Sequence, residues 1–186
     1  ANAFRILTNQ FKGRRKGGFV MTYSMLASIV KYPFASQLAG SHGKFGFFTL
    51  EKDSYQKVAD ELGIFCKSKP GEPLRYARHP LVYMVEAADD ICYEIMDIED
   101  SHKLKILSYE ETERLLLGFF DKETQNKIKE RIKEEGVTDE NEKVVYMRAS
   151  AIGRLENECV TAFLEHEKEI LTGTFEGSHI DRIAEQ

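Results

Sequence analysis

The segment that most constrains the fold is residues 80–100, where apolar and charged side chains recur with the period of an α-helix. At roughly 100° per residue, one face would carry the apolar side chains Val85, Ala88, Ile91, Cys92, Ile95 and Ile98. The other face would carry Asp89, Tyr93, Asp97 and Asp100, with Glu86 and Asp90 beside them. Because carboxylates one turn apart repel each other, either water solvates this face or a cation neutralises it.

Helical patterns recur along the whole chain, and no alternating strand pattern of useful length occurs. Helices are predicted over residues 2–10, 21–31, 55–62 with Gly63 as the C-cap, 80–100, 121–135 and 142–171, and one more begins at the capping-box pattern Ser108-Tyr-Glu-Glu111. A glycine-rich loop over residues 34–49 and a linker over residues 66–75 are predicted between them. The sequence therefore predicts an all-α helical bundle in which residues 1–186 form a single helical region.

Composition excludes several classes of protein. The 186 residues are 42% hydrophobic and carry a net charge of −5, so a core is available and bulk charge does not favour nucleic acid. No apolar run approaches the length of a membrane span, and we expect no membrane contact. The three cysteines show neither a disulfide framework nor a zinc spacing, which is typical of a cytoplasmic protein.

A basic loop near the start carries Lys12, Arg14, Arg15 and Lys16 among glycines. Such a loop is often only solvated. If the loop has a function, it would be an anion site for an effector nucleotide, or a contact to single-stranded nucleic acid. No interleaved aromatic residues favour the nucleic acid, and the sequence leaves these alternatives open.

Residues 79–93, which include the string Glu-Ala-Ala-Asp-Asp-Ile-Cys-Tyr, resemble the last metal-ligand motif of the deoxyguanosine triphosphate triphosphohydrolases, a family of the HD-domain superfamily. Residues 2–5, 21–33, 44–48 and 148–153 resemble other elements of that family in the same order. The resemblance covers essentially the whole chain. It implies that the bundle is the C-terminal part of an HD-type phosphohydrolase.

The resemblance also implies roles for individual residues. Asp89 is similar to the family's final metal ligand, and Tyr93 and Asp97 match positions that meet the deoxyribose. A ring against C2′ leaves no room for a 2′-hydroxyl, and a carboxylate can accept a hydrogen bond from the 3′-hydroxyl. Triphosphate contacts are implied for Lys31, Lys44 and Arg148. Asn2 and Arg5 match positions near the nucleotide or a subunit contact, and Tyr32 is either a core or a site residue.

One part of the family pattern is missing. The superfamily site is His…His-Asp…Asp, and no His-Asp dipeptide occurs here, although the chain has five histidines. We therefore expect an upstream segment to supply His, His and Asp, and Asp89 to complete a site for Mg²⁺ or Mn²⁺. The substrate implied is a dNTP, with dGTP favoured, and the enzyme is expected to be a homo-oligomer. The chain by itself is expected to be inactive.

Two other classes of function stay open from the residues alone. The chain could be a non-catalytic nucleotide-binding or oligomerisation module that uses its basic residues to hold a dNTP without turnover. It could also be a purely structural helical scaffold, for which no nucleotide-dependent change in melting temperature is expected.

Overall fold

A computed structural model describes residues 1–13 and 18–175. These residues contain eight α-helices, which are α1 (Asn2–Thr8), α2 (Tyr23–Ser28), α3 (Lys52–Glu61), α4 (Pro80–Lys103), α5 (Tyr109–Leu117), α6 (Lys122–Glu134), α7 (Glu140–Glu165) and α8 (Glu167–Thr172). Two short 3₁₀ turns, Ser36–Leu38 and Thr49–Glu51, lie in the loop before α3. The described residues contain no strand, so the predicted all-α class is confirmed. None of their helices is both long and apolar enough to cross a membrane.

Side-chain hydrogen bonds cap the N-termini of several helices. The hydroxyl of Thr22 accepts a hydrogen bond from the backbone N–H of Met25 at the start of α2. The predicted capping box of α5 is confirmed, since Ser108 and Glu111 each accept from the other's backbone N–H. Helix α2 ends at Ser28, three residues before the predicted limit of 31.

The chain divides into two compact units within α4, and each is described by itself. The first contains residues 1–86 and 163–175. Tyr55 lies fully buried at its centre, with the Phe47 ring stacked on it and Phe4 and Tyr76 against its other sides. Residues 66–75 are not a free linker, because Cys66 pairs with Tyr76 and Phe34 with Arg75 through backbone bridges. Those bridges fix the loop to the core.

The second unit contains residues 87–162, which include most of α4, all of α5 and α6, and most of α7. Its core is formed by apolar side chains from all four helices: Ile91, Ile95, Leu116, Leu117, Ile128, Ile132, Val144, Met147 and Ala151. On α4, α6 and α7 these positions recur every three or four residues, as expected for amphipathic helices that bury one face.

The buried face of α4 is rotated from the predicted one. Ile91 and Ile95 are buried as expected, but Val85, Ala88 and Cys92 are exposed. The buried residues are instead Val82, Tyr83, Ala87, Ile91, Ile95 and Glu99. The first turns of α4 are apolar on nearly every side, so hydrophobic spacing could not define one face there. Which face of α4 is buried therefore depended on the residues that pack against the helix.

The long helix predicted over residues 142–171 is interrupted at His166, where α7 ends and α8 begins. The break accompanies a small apolar cluster in the first unit, formed by Tyr83, Phe163, Ile170 and Phe175. The imidazole of His166 lies 5.1 Å from the Phe175 ring, measured between centroids. Packing of Ile170 and Phe175 against Tyr83 thus overrides the continuous helical period of the sequence.

Candidate functional site

The exposed face of α4 carries the residues for which the sequence predicts metal and sugar contacts. Asp89 and Asp97 are exposed, and Tyr93 has 65% of its surface accessible. They follow each other at four-residue spacing, which stacks side chains one turn apart on an α-helix. Asp90 is half-buried and points to a different side of the helix. The predicted polar face of Asp89, Tyr93 and Asp97 is therefore present as one continuous surface of the second unit.

A carboxylate oxygen such as that of Asp89 is a suitable ligand for a hard divalent cation, which takes several oxygen ligands. In residues 1–13 and 18–175, no group of three or more His, Cys, Asp or Glu side chains is arranged to hold a metal ion. Asp89 fits the role of a single ligand that other groups would have to complete.

Lys31 and Lys44 lie on the first unit, and the structure brings both of them to the ring of Tyr32. The ammonium of Lys31 is 5.9 Å and that of Lys44 5.5 Å from the ring centroid. Tyr32 is half-buried, so it is neither a core residue nor a fully exposed one. Cations at this distance from an aromatic face are attracted by its quadrupole. The three residues therefore form one basic cluster with an aromatic centre.

Lys31 also contacts a carboxylate that the sequence analysis did not connect with it. Its Nζ lies 2.5 Å from Oε1 of Glu86 on α4, and Nη1 of Arg78 lies 3.3 Å from Oε2 of the same residue. Only 8% of the Glu86 side chain is exposed. The buried carboxylate therefore bridges two cations within the first unit.

Arg148 makes a comparable contact within the second unit. Its Nη1 lies 2.5 Å from Oε2 of Glu99, while Nζ of Lys103 lies 2.9 Å from Oε1. Only 2% of the Glu99 side chain is exposed. Burial by itself raises the pKa of Glu99, but the hydrogen bonds and charges of Lys103 and Arg148 outweigh it, so this pKa lies below its ordinary value. Glu99 is therefore ionised at neutral pH.

The remaining predicted residues lie elsewhere on the first unit. Asn2 is exposed at the start of α1, and Arg5 lies over the Phe48 ring, with its Nε 3.6 Å from the carboxylate of Glu51. Lys12 is exposed in a turn. The other three residues of the basic loop, Arg14, Arg15 and Lys16, lie outside the described residues, so the predicted anion loop stays a prediction.

Sequence reasoning missed Glu86 and Glu99 as partners of the predicted phosphate-binding cations. A signal was present for Glu99, since it lies four residues after Ile95 and so shares its buried face, and Lys103 follows four residues later. No comparable signal was present for Glu86, because its partner Lys31 is distant along the chain.

Comparison with known proteins agrees with the family resemblance that the sequence motifs indicate. A deoxyguanosinetriphosphate triphosphohydrolase-like protein of Pseudomonas aeruginosa (strain LESB58) is 33% identical over 188 residues, which cover 98% of this chain and 41% of that protein. One of the same description from Synechocystis sp. (strain ATCC 27184 / PCC 6803 / Kazusa) is 36% identical and is matched over 97% of this chain and 41% of its own length. A deoxyguanosinetriphosphate triphosphohydrolase of Yersinia pestis (strain Pestoides F) is 26% identical over 83% of this chain and 32% of its own. No family model matches the chain.

These similarities in sequence assign the chain to a family of phosphohydrolases. It belongs to the deoxyguanosinetriphosphate triphosphohydrolase-like family. The chain spans about two fifths of the length of the first curated relatives that it matches.

Proposed function

We propose that this chain supplies the sugar-reading helix, the triphosphate-binding cations and one metal ligand of a dNTP triphosphohydrolase of the HD-domain superfamily, with dGTP as the favoured substrate. The observation that carries the proposal is the exposed face of α4, where Asp89, Tyr93 and Asp97 follow one another at helical spacing. Relatives named deoxyguanosinetriphosphate triphosphohydrolase-like proteins, which match 98% and 97% of the chain, support it.

The residues of α4 would have different roles in binding the metal and the sugar. Asp89 would be a ligand to Mg²⁺ or Mn²⁺, together with His, His and Asp from outside the 186 residues. When bound, such a metal polarises a phosphoryl oxygen and lowers the pKa of a water molecule. Tyr93 would pack against C2′ of the sugar and exclude a 2′-hydroxyl. Asp97 would accept a hydrogen bond from the 3′-hydroxyl.

The cations would bind the leaving group. Inorganic triphosphate carries several negative charges, and positively charged donors aimed at its oxygens stabilise the charge that develops there. Lys31, Lys44 and Arg148 are cations of the type that this role requires. The products would be a deoxynucleoside and inorganic triphosphate.

The test compares two neighbouring carboxylates in the full-length protein that contains this chain. Asp89→Ala should abolish metal-dependent release of triphosphate from dGTP, because a metal ligand is lost. Asp90→Ala is the matched control, since it removes the same charge from a different side of α4. Its rate should stay much closer to that of the wild type. A larger loss of rate for Asp90→Ala than for Asp89→Ala would contradict the assignment.

A further inference from the structure

The turn between α4 and α5 presents two large apolar side chains that the core of the second unit does not bury. Leu104 has 72% and Ile106 has 70% of its surface accessible, and Lys105 between them is also exposed. Aliphatic residues that are exposed singly are common on protein surfaces, whereas two of them within three residues form a small apolar patch. We call residues 104–106 the apolar turn.

Hydrogen bonds fix the backbone of the apolar turn. The N–H of Ile106 donates to the carbonyl of Ser101 at 2.9 Å, and the N–H of Lys105 donates to the carbonyl of His102 at the same distance. These are the two bonds of a Schellman motif, in which the residue at the position of Ile106 often packs back on the helix. The helix residues that it would contact are Ser101 and Asp100, which are polar, so Ile106 stays exposed.

The residue in the left-handed conformation of this motif is Lys105, whose φ is 59°. Glycine is the usual residue there, because a Cβ disfavours that conformation. Backbone conformations of this kind are concentrated at functional sites. The preceding cation, Lys103, is already paired with Glu99 and Asp100, so the positive charge that the apolar turn offers to a partner is that of Lys105.

A cleft of about 560 Å³ lies where α6 ends and α7 begins, in the same unit. Its lining combines the half-buried apolar side chains of Val137, Val145 and Tyr146 with the exposed acids Glu135, Asp139 and Glu142. Among the described residues that line the cleft, none is a cation. The carboxylate of Glu135 lies 3.6 Å from Nε of Arg131, and Asp139 accepts a hydrogen bond from the N–H of Glu142. We call this feature the α6–α7 cleft.

The apolar turn and the α6–α7 cleft are chemically complementary. Aliphatic side chains lose water when they enter an apolar depression, and a lysine ammonium is attracted by carboxylates around it. The volume of the cleft lies within the range of about 300–1,000 Å³ that is usual for ligand sites, so two aliphatic side chains can enter it. Each feature therefore offers what the other lacks.

Both features lie at the same end of the second unit, and Tyr109 at the start of α5 shows this. Its ring centroid is 6.4 Å from that of His102, in the last turn of α4, and 5.7 Å from Nζ of Lys143, in the first turns of α7. A two-fold dimer applies one patch of a chain to the identical patch of its copy. Because the turn and the cleft share one end, each copy can give its turn and receive that of the other.

We propose that two copies of this chain associate through this end of the second unit, with the apolar turn of each copy in the α6–α7 cleft of the other. Leu104 and Ile106 are buried in both directions, and Lys105 lies among the acids of the cleft. A second copy is the occupant because one chain carries both complementary features at one end of one unit. This association is separate from dNTP hydrolysis and does not depend on it.

Sedimentation equilibrium of the 186-residue chain over a range of concentrations measures the dissociation constant of the dimer. Leu104→Asp and Ile106→Asp should each raise that constant by about 10- to 100-fold, as expected when a central contact residue is lost. Leu50→Asp is the matched control, because Leu50 is 86% exposed on the first unit and should leave the constant unchanged. A chain that stays monomeric up to millimolar concentration would overturn the proposal, and so would a dimer that both turn variants leave intact.

A charge reversal tests whether the turn meets the cleft. Lys105→Glu should raise the dissociation constant, because it places a carboxylate among acids. Adding Glu142→Lys in the same chain should restore much of the association, because opposite charges then meet again in both directions. Both positions are exposed, so the variants should fold as the wild type does. Equal weakening in the single and the double variant would overturn the proposal.

Lys105→Gly separates a role in the contact from a role in ending α4. Glycine adopts the positive φ more readily than lysine, so the melting temperature should rise at dilutions where the chain is monomeric. The dissociation constant of the dimer should rise as well, because the positive charge of the turn is lost. A higher melting temperature with an unchanged dissociation constant would show that Lys105 serves only the helix end, which would overturn its part in the contact.

Discussion

Replacement of Glu99 by glutamine is expected to destabilise the second unit, and the size of the effect can be estimated from its contacts. The carboxylate is 2% exposed and accepts from Arg148, whose side chain is 26% exposed, and from Lys103, which is 52% exposed. A hydrogen bond to a charged group contributes about 1.5–3 kcal/mol, which we assign to Arg148. Solvent screening reduces the contribution of Lys103 to about 0–1 kcal/mol.

The loss is partly offset, because a neutral amide costs less to bury than a carboxylate. Arg148 and Lys103 can also turn towards water once the charge is gone. We therefore expect Glu99→Gln to lower the free energy of unfolding by about 1–3 kcal/mol at neutral pH.

The pH dependence of this difference has a definite sign. Because the pKa of Glu99 in the folded chain lies below its ordinary value of 4.5, its stabilising contribution is fully present above about that pH. The contribution is lost as the pH falls through the folded-state pKa. The difference in unfolding free energy between the wild type and Glu99→Gln should therefore shrink in acid.

Urea unfolding of the 186-residue chain, followed by far-UV circular dichroism, measures the effect at neutral pH and at several acidic pH values. Glu94→Gln is the control, and a surface change of this kind should alter stability by less than about 0.5 kcal/mol. Equal stability of Glu99→Gln and the wild type at neutral pH would refute the estimate. A difference that grows as the pH falls would refute the assigned pKa direction.

Two further predictions concern the opposite faces of α4. Tyr93→Ala in the full-length protein should narrow the preference for dNTP over NTP by roughly 10- to 200-fold in kcat/KM, because a steric filter is removed. Asp97→Asn should weaken the binding of substrates that have a 3′-hydroxyl and leave the binding of 3′-deoxy analogues unchanged. An unchanged preference for dNTP over NTP in Tyr93→Ala would disprove the sugar-reading face. Ile95→Ala, at a fully buried position, should lower the unfolding free energy of the chain by about 2–5 kcal/mol. Val85→Ala, at an exposed position on the same helix, should lower the unfolding free energy far less in the same urea titration. Equal losses of unfolding free energy in the two variants would disprove the observed buried face of α4.

The clusters around Glu86 and Glu99 change how the predicted phosphate-binding residues are understood. From sequence, Lys31 and Arg148 are single cations whose roles come from a resemblance to known enzymes. In the structure each shares a buried carboxylate with a second cation. Because both carboxylates are buried, these contacts restrict the motion of Lys31 and Arg148.

The sequence by itself determined the properties that depend on neighbouring residues. Helical period, the capping box at Ser108 and the exposure of Asp89, Tyr93 and Asp97 were all predicted correctly, because each depends on residues within one or two turns. The family was also recognisable from short strings of residues, and the similarity to known proteins confirms it.

Only the tertiary structure decided which side of α4 is buried and which acids hold which cations. The first turns of α4 are apolar on nearly every side, so the buried face depended on packing partners from elsewhere in the chain. Glu86 meets Lys31, and Glu99 meets Arg148, across long separations in sequence that no local pattern records. The interruption at His166 has the same origin, since contacts of Ile170 and Phe175 with Tyr83 outweigh a local preference for continuous helix. Local propensity is worth only tenths of a kcal/mol per residue, whereas a buried side chain contributes about 1.5–3 kcal/mol, so packing prevails where the two disagree.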